Sequence, residues 1–317
     1  MSVLPTHHRA VTVRGHEIAY REAGPADAPA LLLLHGFPTS SHMFRDLIPL
    51  LADRYRLVAP DHLGFGRSAA PSADEFAYTF AELAALTAEF TEAVGLDRFA
   101  LYVQDYGAPI GLRLALAHPE RVTAIVTQNG NAYEEGLGAE AWAPVLALIA
   151  ERTPATEEPV RAIRSLTGIR WQYETGVPAE YRDLLSPDAW HHDAALMARE
   201  GQDGIQLDLI ADYGSNFALY PAFQEYFRTS RVPLLAVWGE GDQVFVPAGA
   251  EAFRHDLPDA EIHLLPTGHF ALETHAPRIA SLIDDFLTRR VRRTRIRTAS
   301  AGAFVLLKDA ERVGRRR

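Results

Sequence analysis

Cysteine is absent from all 317 residues. That excludes a disulfide framework, a thiolate nucleophile and a zinc–thiolate site. Long apolar runs are missing too. Runs such as Ala30–Leu34 and Ala303–Leu307 are five residues each and none exceeds six, against the roughly 18 that a membrane-crossing helix needs. The segment Met1–Val11 carries His7, His8 and Arg9 where a secretory signal would place its apolar stretch. Together these predict a cytoplasmic protein with no membrane partner. Lysine is almost absent: Lys308 stands alone beside thirty Arg, a skew that carries no mechanism. The remainder, 48% hydrophobic and 23% charged, is an ordinary globular composition.

The net charge of −10 is unevenly spread. Thr288–Arg317 holds eleven basic and two acidic residues, leaving 20 basic and 39 acidic ones in Met1–Leu287. An acidic body argues against nucleic-acid binding by the fold itself. The Arg-rich tail reads as a solvated, partly disordered extension; binding of an anionic partner is the alternative.

Short apolar runs alternate with helical periodicity over most of the chain. Val11–Val13 and Ile18–Tyr20 flank Arg14-Gly15-His16 as a hairpin. Leu31–Leu34, Leu57–Ala59, Phe99–Val103, Val122–Thr127, Leu234–Val237 and Ile262–Leu265 read as strands of a parallel sheet. Helical patterns cover Ser41–Ala52, Phe80–Val94, Ala108–Ala117, Ala248–Phe253 and Ile279–Phe286. Strand followed by helix, repeated, predicts an α/β fold: a mostly parallel sheet covered on both faces. The repeat breaks after Gln128 and resumes at Val232, with a helical, aromatic-rich stretch between. The expected organisation is a core over 1–132, a helical cap over 133–228, a second core part over 229–287 and the tail over 288–317.

Leu101-Tyr102-Val103-Gln104-Asp105-Tyr106-Gly107 carries the sharpest signal. A strand runs into a tight turn and a helix follows, the setting of a nucleophile elbow with Asp105 in the nucleophile position. A helix N-terminus favours an ionised carboxylate there; an ordinary helix cap is the competing reading. Leu34-His35-Gly36-Phe37-Pro38 follows the first central strand, where such folds supply one oxyanion-hole N–H, the other coming from the residue after the nucleophile. That nominates the N–H groups of Phe37 and Tyr106, with His35 structural. Asp61–Ser68 lacks the third Gly and the Lys-Ser/Thr of phosphate loops and reads as a turn. Asp242 and His269 each lie just past a late strand. Nucleophile, acid, His is the chain order of α/β-hydrolases, all at carboxyl ends of strands. Glu134, Glu135 and the Asn129 loop offer another position for the acid.

These motifs resemble the α/β-hydrolase branch that holds haloalkane dehalogenases and epoxide hydrolases. Val-Gln-Asp-Tyr-Gly is similar to the dehalogenase Val-Gln-Asp-Trp-Gly, and His-Gly-Phe-Pro to the epoxide-hydrolase His-Gly-x-Pro, within a match from about Arg9 to Leu287. The resemblance implies an α/β-hydrolase fold and a small-molecule substrate. A carboxylate nucleophile suits displacement at saturated carbon, giving an alkyl-enzyme ester that water activated by His269 then hydrolyses. No metal or organic cofactor is required. Dehalogenases hold the halide with Trp side chains or an Asn; Tyr106 and Phe37 stand at two of those positions, leaving Trp171 as a candidate. Epoxide hydrolases use cap tyrosines. Ala211-Asp212-Tyr213-Gly214-Ser215-Asn216 is similar to their late cap motif, nominating Tyr213, with Tyr173 or Trp171 near the position of its partner. Epoxide hydrolysis is therefore expected ahead of haloalkane or haloacid dehalogenation. Ester or lactone hydrolysis and a non-catalytic ligand-binding protein are the remaining alternatives.

Overall fold

Continuous apolar strands need cover on both faces, and the sheet supplies it. The computed structural model describes residues 4–289. Eight strands form one sheet: β1 (His7–Val13), β2 (His16–Ala23), β3 (Ala30–Leu34), β4 (Arg56–Pro60), β5 (Phe99–Gln104), β6 (Val122–Gln128), β7 (Leu234–Gly239) and β8 (Glu261–Leu265). Their order is β1-β2-β4-β3-β5-β6-β7-β8. The first two pair antiparallel around Arg14-Gly15, where both residues take the positive φ that a tight hairpin turn requires. From β4 to β8 every pairing is parallel. β5 and β7 are buried at every position, so neither face of the central sheet meets solvent there.

The helices are α1 (Ile48–Leu51), α2 (Phe80–Ala93), α3 (Gly107–Ala117), α4 (Ala139–Ala150), α5 (Pro154–Ile163), α6 (Leu166–Glu174), α7 (Pro187–Met197), α8 (Gln202–Asp212), α9 (Gly214–Phe217), α10 (Tyr220–Ser230), α11 (Pro247–Asp256) and α12 over 271–289. Between β6 and β7 the chain is helical, with only an isolated bridge from Leu137 to Phe245. α12 continues through Leu287 to Arg289, so the expected boundary before the tail falls inside a helix. The rest of that Arg-rich segment lies outside the described residues.

One expected element differs. The pattern over Ser41–Ala52 predicts a single helix, but the chain forms a 3₁₀ turn at Ser41–Phe44 and then the short α1. Local hydrogen bonding explains the break. Ser40 accepts from the His42 N–H, and Asp61 takes the Ser41 N–H at 2.7 Å. The bonds that follow span three residues, and Pro49 has no N–H to continue a four-residue ladder. Among the described residues no helix is long and apolar enough to cross a membrane.

Candidate active site

Asp105 sits where β5 turns into α3, with φ of 48°. Such a conformation is sparsely populated for a residue with a side chain and signals a constrained turn. Close packing holds it. A Cβ on Gly107 would fall 2.2 Å from the Leu34 carbonyl oxygen, and one on Gly36 would fall 2.3 Å from the Asp105 Cβ. Glycine at both positions therefore lets the loop after β3 approach the elbow. The consequence is chemical: the Phe37 N–H donates to Asp105 Oδ1 at 2.7 Å and the Tyr106 N–H donates to the same oxygen at 2.6 Å. Burial lifts the Asp105 carboxyl from 3.8 to about 6, against the opposing pull of His269 and those two N–H groups. Its other oxygen, Oδ2, lies 4.0 Å from His269 Nε2, a gap that one water can bridge.

His269 lies on the loop after β8, and Asp242 on the loop after β7. The imidazole Nδ1–H donates to Asp242 Oδ2 at 2.8 Å, which leaves Nε2 as the basic nitrogen. Burial by itself lowers the His269 pKa. The charge and hydrogen bond of Asp242, with the charge of Asp105, more than offset this, and the net shift is upward. Asp242 is held in turn: its Oδ2 accepts from Asn129 Nδ2 at 2.7 Å and its Oδ1 from the Val244 N–H at 2.7 Å. Asn129 Oδ1 accepts from the Gly239 N–H, and Gln128 Nε2 donates to the His269 carbonyl oxygen. Gln104 Nε2 reaches His269 Nε2 at 2.8 Å.

Above Asp105 lies a cavity of about 460 Å³. Phe37, Asp105, Tyr106 and Val244 line one side, and α4, α5, α6 and α8 close the other with Trp142, Ile163, Trp171 and Ile210 among their contributions. Tyr213 lines it as well. Its hydroxyl is buried and makes no hydrogen bond of ordinary geometry, although the Tyr220 hydroxyl interacts with it. Burial, then Tyr220 and Asp105, push the phenol well above its usual range, so it carries its proton.

The family model of the alpha/beta hydrolase fold matches residues 29–276. The chain belongs to the α/β-hydrolase fold family. An uncharacterized hydrolase of Saccharomyces cerevisiae is 43% identical over 292 residues, covering 89% of this chain and 97% of its own. A haloalkane dehalogenase of Mycolicibacterium paratuberculosis is 40% identical over 291 residues, covering 87% of this chain and 90% of its own. Among solved structures, the epoxide hydrolase CorEH superposes with a TM-score of 0.73 over 90% of this chain and 99% of that one, at 18% identity. At that identity the likeness speaks for the fold alone.

In this α/β-hydrolase, folding brings together Asp105, Asp242, His269 and the N–H groups of Phe37 and Tyr106. Tyr213 joins them across the cavity. One residue expected at the site, Tyr173, is placed differently. It is buried but does not line the cavity: its hydroxyl donates to Asp193 Oδ2 at 2.6 Å and its ring stacks on Phe270. Trp171 lines the cavity from a position 44% exposed. The alternative acids Glu134 and Glu135 are exposed on a 3₁₀ turn, whereas Asn129 supports Asp242. His35 and Asp61 have structural partners, as the motif reading expects. His35 Nε2 accepts from the His62 N–H, and Asp61 accepts from the Ser41 and Arg67 N–H groups. Sequence reasoning missed Gln104, Gln128 and Gln172. The first two are the last residues of β5 and β6; Gln172 carries no signal beyond its place in a helix.

Proposed function

We propose that the protein is a hydrolase in which Asp105 displaces a leaving group at saturated carbon and His269 drives hydrolysis of the resulting ester, with segment 133–228 acting as its cap. The division of labour between the two oxygens of Asp105 carries this reading. Oδ1 already receives two N–H donors, so the carbonyl oxygen of the ester would form in its oxyanion hole. Oδ2 has neither donor and faces His269 across a water-sized gap. After alkylation, water held by His269 attacks the Asp105 carbonyl carbon. The imidazole takes the proton and Asp242 stabilises the imidazolium.

Epoxide hydrolysis is the preferred reaction. Its support is Tyr213, which lines the cavity that also holds the nucleophile and whose buried, protonated hydroxyl has only the Tyr220 hydroxyl beside it. Two of the positions that would cradle a halide offer no free side-chain donor: Phe37 has none, and the Trp142 indole N–H is taken by the Val244 carbonyl at 2.9 Å. Trp171 keeps its indole N–H but lines the cavity from a half-exposed position. Among the described residues lining the cavity the charged ones are Asp105 and Glu140, with no Lys or Arg. A haloacid carboxylate would therefore lack a counter-charge, which favours a neutral substrate. Haloalkane dehalogenation is the second reading, supported by the name and 40% identity of the mycobacterial relative.

Intact-protein mass spectrometry of His269→Ala separates the two. The variant keeps Asp105 able to attack and loses water activation, so the ester should accumulate. Styrene oxide should add whole, because the ring oxygen stays attached, and peptide mapping should place the adduct on Asp105. A haloalkane such as 1-bromobutane would instead add its alkyl group, with loss of hydrogen bromide. Adducts from the haloalkane alone transfer the assignment to dehalogenase. No adduct from either class, with esterase activity dependent on Asp105, would sink the displacement mechanism.

A further inference from the structure

Gln172 is an anomaly in the cavity wall. It lies on α6, is 5% exposed and lines the cavity that holds Asp105 and Tyr213. Its carboxamide nitrogen is fully buried without a hydrogen-bond partner, and among the described residues its oxygen has none either. An amide buried this way forfeits roughly 1–3 kcal/mol, and native structures keep few such groups without a reason. Packing does not supply one, since Leu or Met would fill the same volume without the penalty. Gly168, one turn earlier, and Thr167 and Trp171 line the same cavity, so this side of α6 is turned toward the ligand space.

We infer that Gln172 is the second donor to the leaving oxygen, acting beside Tyr213 on the epoxide. The inference rests on the displacement reading above and assigns a residue that neither the motif nor the family position of Tyr173 or Trp171 identifies. In the ring-opening step Asp105 Oδ2 forms a bond to one ring carbon as that carbon's bond to oxygen breaks. The electron pair moves onto the oxygen. Tyr213 transfers its hydroxyl proton there, and the Gln172 amide, after rotation about its terminal torsion, donates one N–H to the same atom. The amide gives up no proton. It stabilises charge that is small in the intact epoxide and large in the transition state, so its effect falls on the rate of alkylation more than on binding. The proton that His269 later takes from water returns through solvent to the Tyr213 phenolate, and the sum is epoxide plus water to diol. The two donors differ in kind. Tyrosine supplies an acid, glutamine a neutral N–H donor, and either alone leaves the developing alkoxide with a single donor.

The test is made in the His269→Ala background, where alkylation by styrene oxide is followed as a single turnover by mass spectrometry. Gln172→Met keeps length and volume and removes the amide. Alkylation should slow at least about tenfold, comparable in direction to Tyr213→Phe, while the saturating concentration of styrene oxide changes by less than about threefold. Melting temperature should stay level or rise, because an unpartnered buried amide has been replaced by an apolar group. Gln172→Glu, of equal length, presents only acceptor oxygens when ionised and should slow alkylation further. An unchanged rate in either variant overturns the assignment. So does a slower rate accompanied by a lower melting temperature in Gln172→Met, which marks a packing role. Absence of an adduct when Gln172 is intact brings down the displacement mechanism itself, and this inference with it; an adduct forming at the same rate with and without the amide refutes the inference alone.

Discussion

Replacing Asp105 by Asn should make the protein more stable near pH 8 while abolishing turnover. The fold holds this carboxyl at about 6, whereas the ordinary value is 3.8. A group raised in the folded state contributes its full stability below the unfolded value and loses it as pH rises through the folded one. Ionised Asp105 therefore works against folding above about pH 6. The net shift, with the opposing pull of His269 and the two N–H groups already included, corresponds to roughly 3 kcal/mol. Asparagine keeps the size, can accept the same Phe37 and Tyr106 N–H groups at Oδ1, and tolerates the positive φ better than most residues. Little besides the charge is lost. Urea unfolding of both proteins between pH 4 and pH 8 measures the difference. The advantage of the variant should be near zero at the acid end, grow through pH 6 and level off at roughly 2–3 kcal/mol. A pH-independent difference, or a variant less stable at pH 8, would show that the site does not strain the nucleophile electrostatically.

Two further outcomes follow from the supporting residues. Asn129→Gly retains access to the positive φ but removes both side-chain bonds that hold Asp242 and the Gly239 N–H. Ester hydrolysis should slow roughly tenfold while alkylation holds, so adduct should build up at steady state; equal slowing of both steps would contradict this. Tyr173→Phe should cost stability, by about 1–3 kcal/mol, because it strands buried Asp193, whose other oxygen already lacks a partner. Its alkylation rate should stay within about twofold; a large loss would return Tyr173 to the chemistry.

Gln104 and Asn129 illustrate why part of the site escaped the sequence. Each precedes or follows a position that a motif marks, yet nothing local says that one reaches His269 from β5 while the other grips Asp242 across the strand ends. Both contacts join residues more than a hundred positions apart. Tyr173 shows the same limit in reverse. Its neighbourhood suggests a donor to substrate, but one helical position separates its ring, stacked on Phe270, from Gln172 in the cavity wall. A helix turns about 100° per residue, so adjacent residues face different surroundings, and only packing of α6 decides which.

What the chain determined by itself is the part set by local chemistry. Apolar runs specify the buried strands, and their alternation with helical periodicity specifies a mostly parallel sheet. Chain order alone nominates Asp105, Asp242 and His269. Tertiary structure decided how the two oxygens of Asp105 are distributed, that Asn129 bonds Asp242 while Glu134 and Glu135 stay exposed, and which helical side chains between β6 and β7 face the cavity. Those outcomes depend on the closure of helices over a sheet edge, where displacements of an ångström decide whether a hydrogen bond exists.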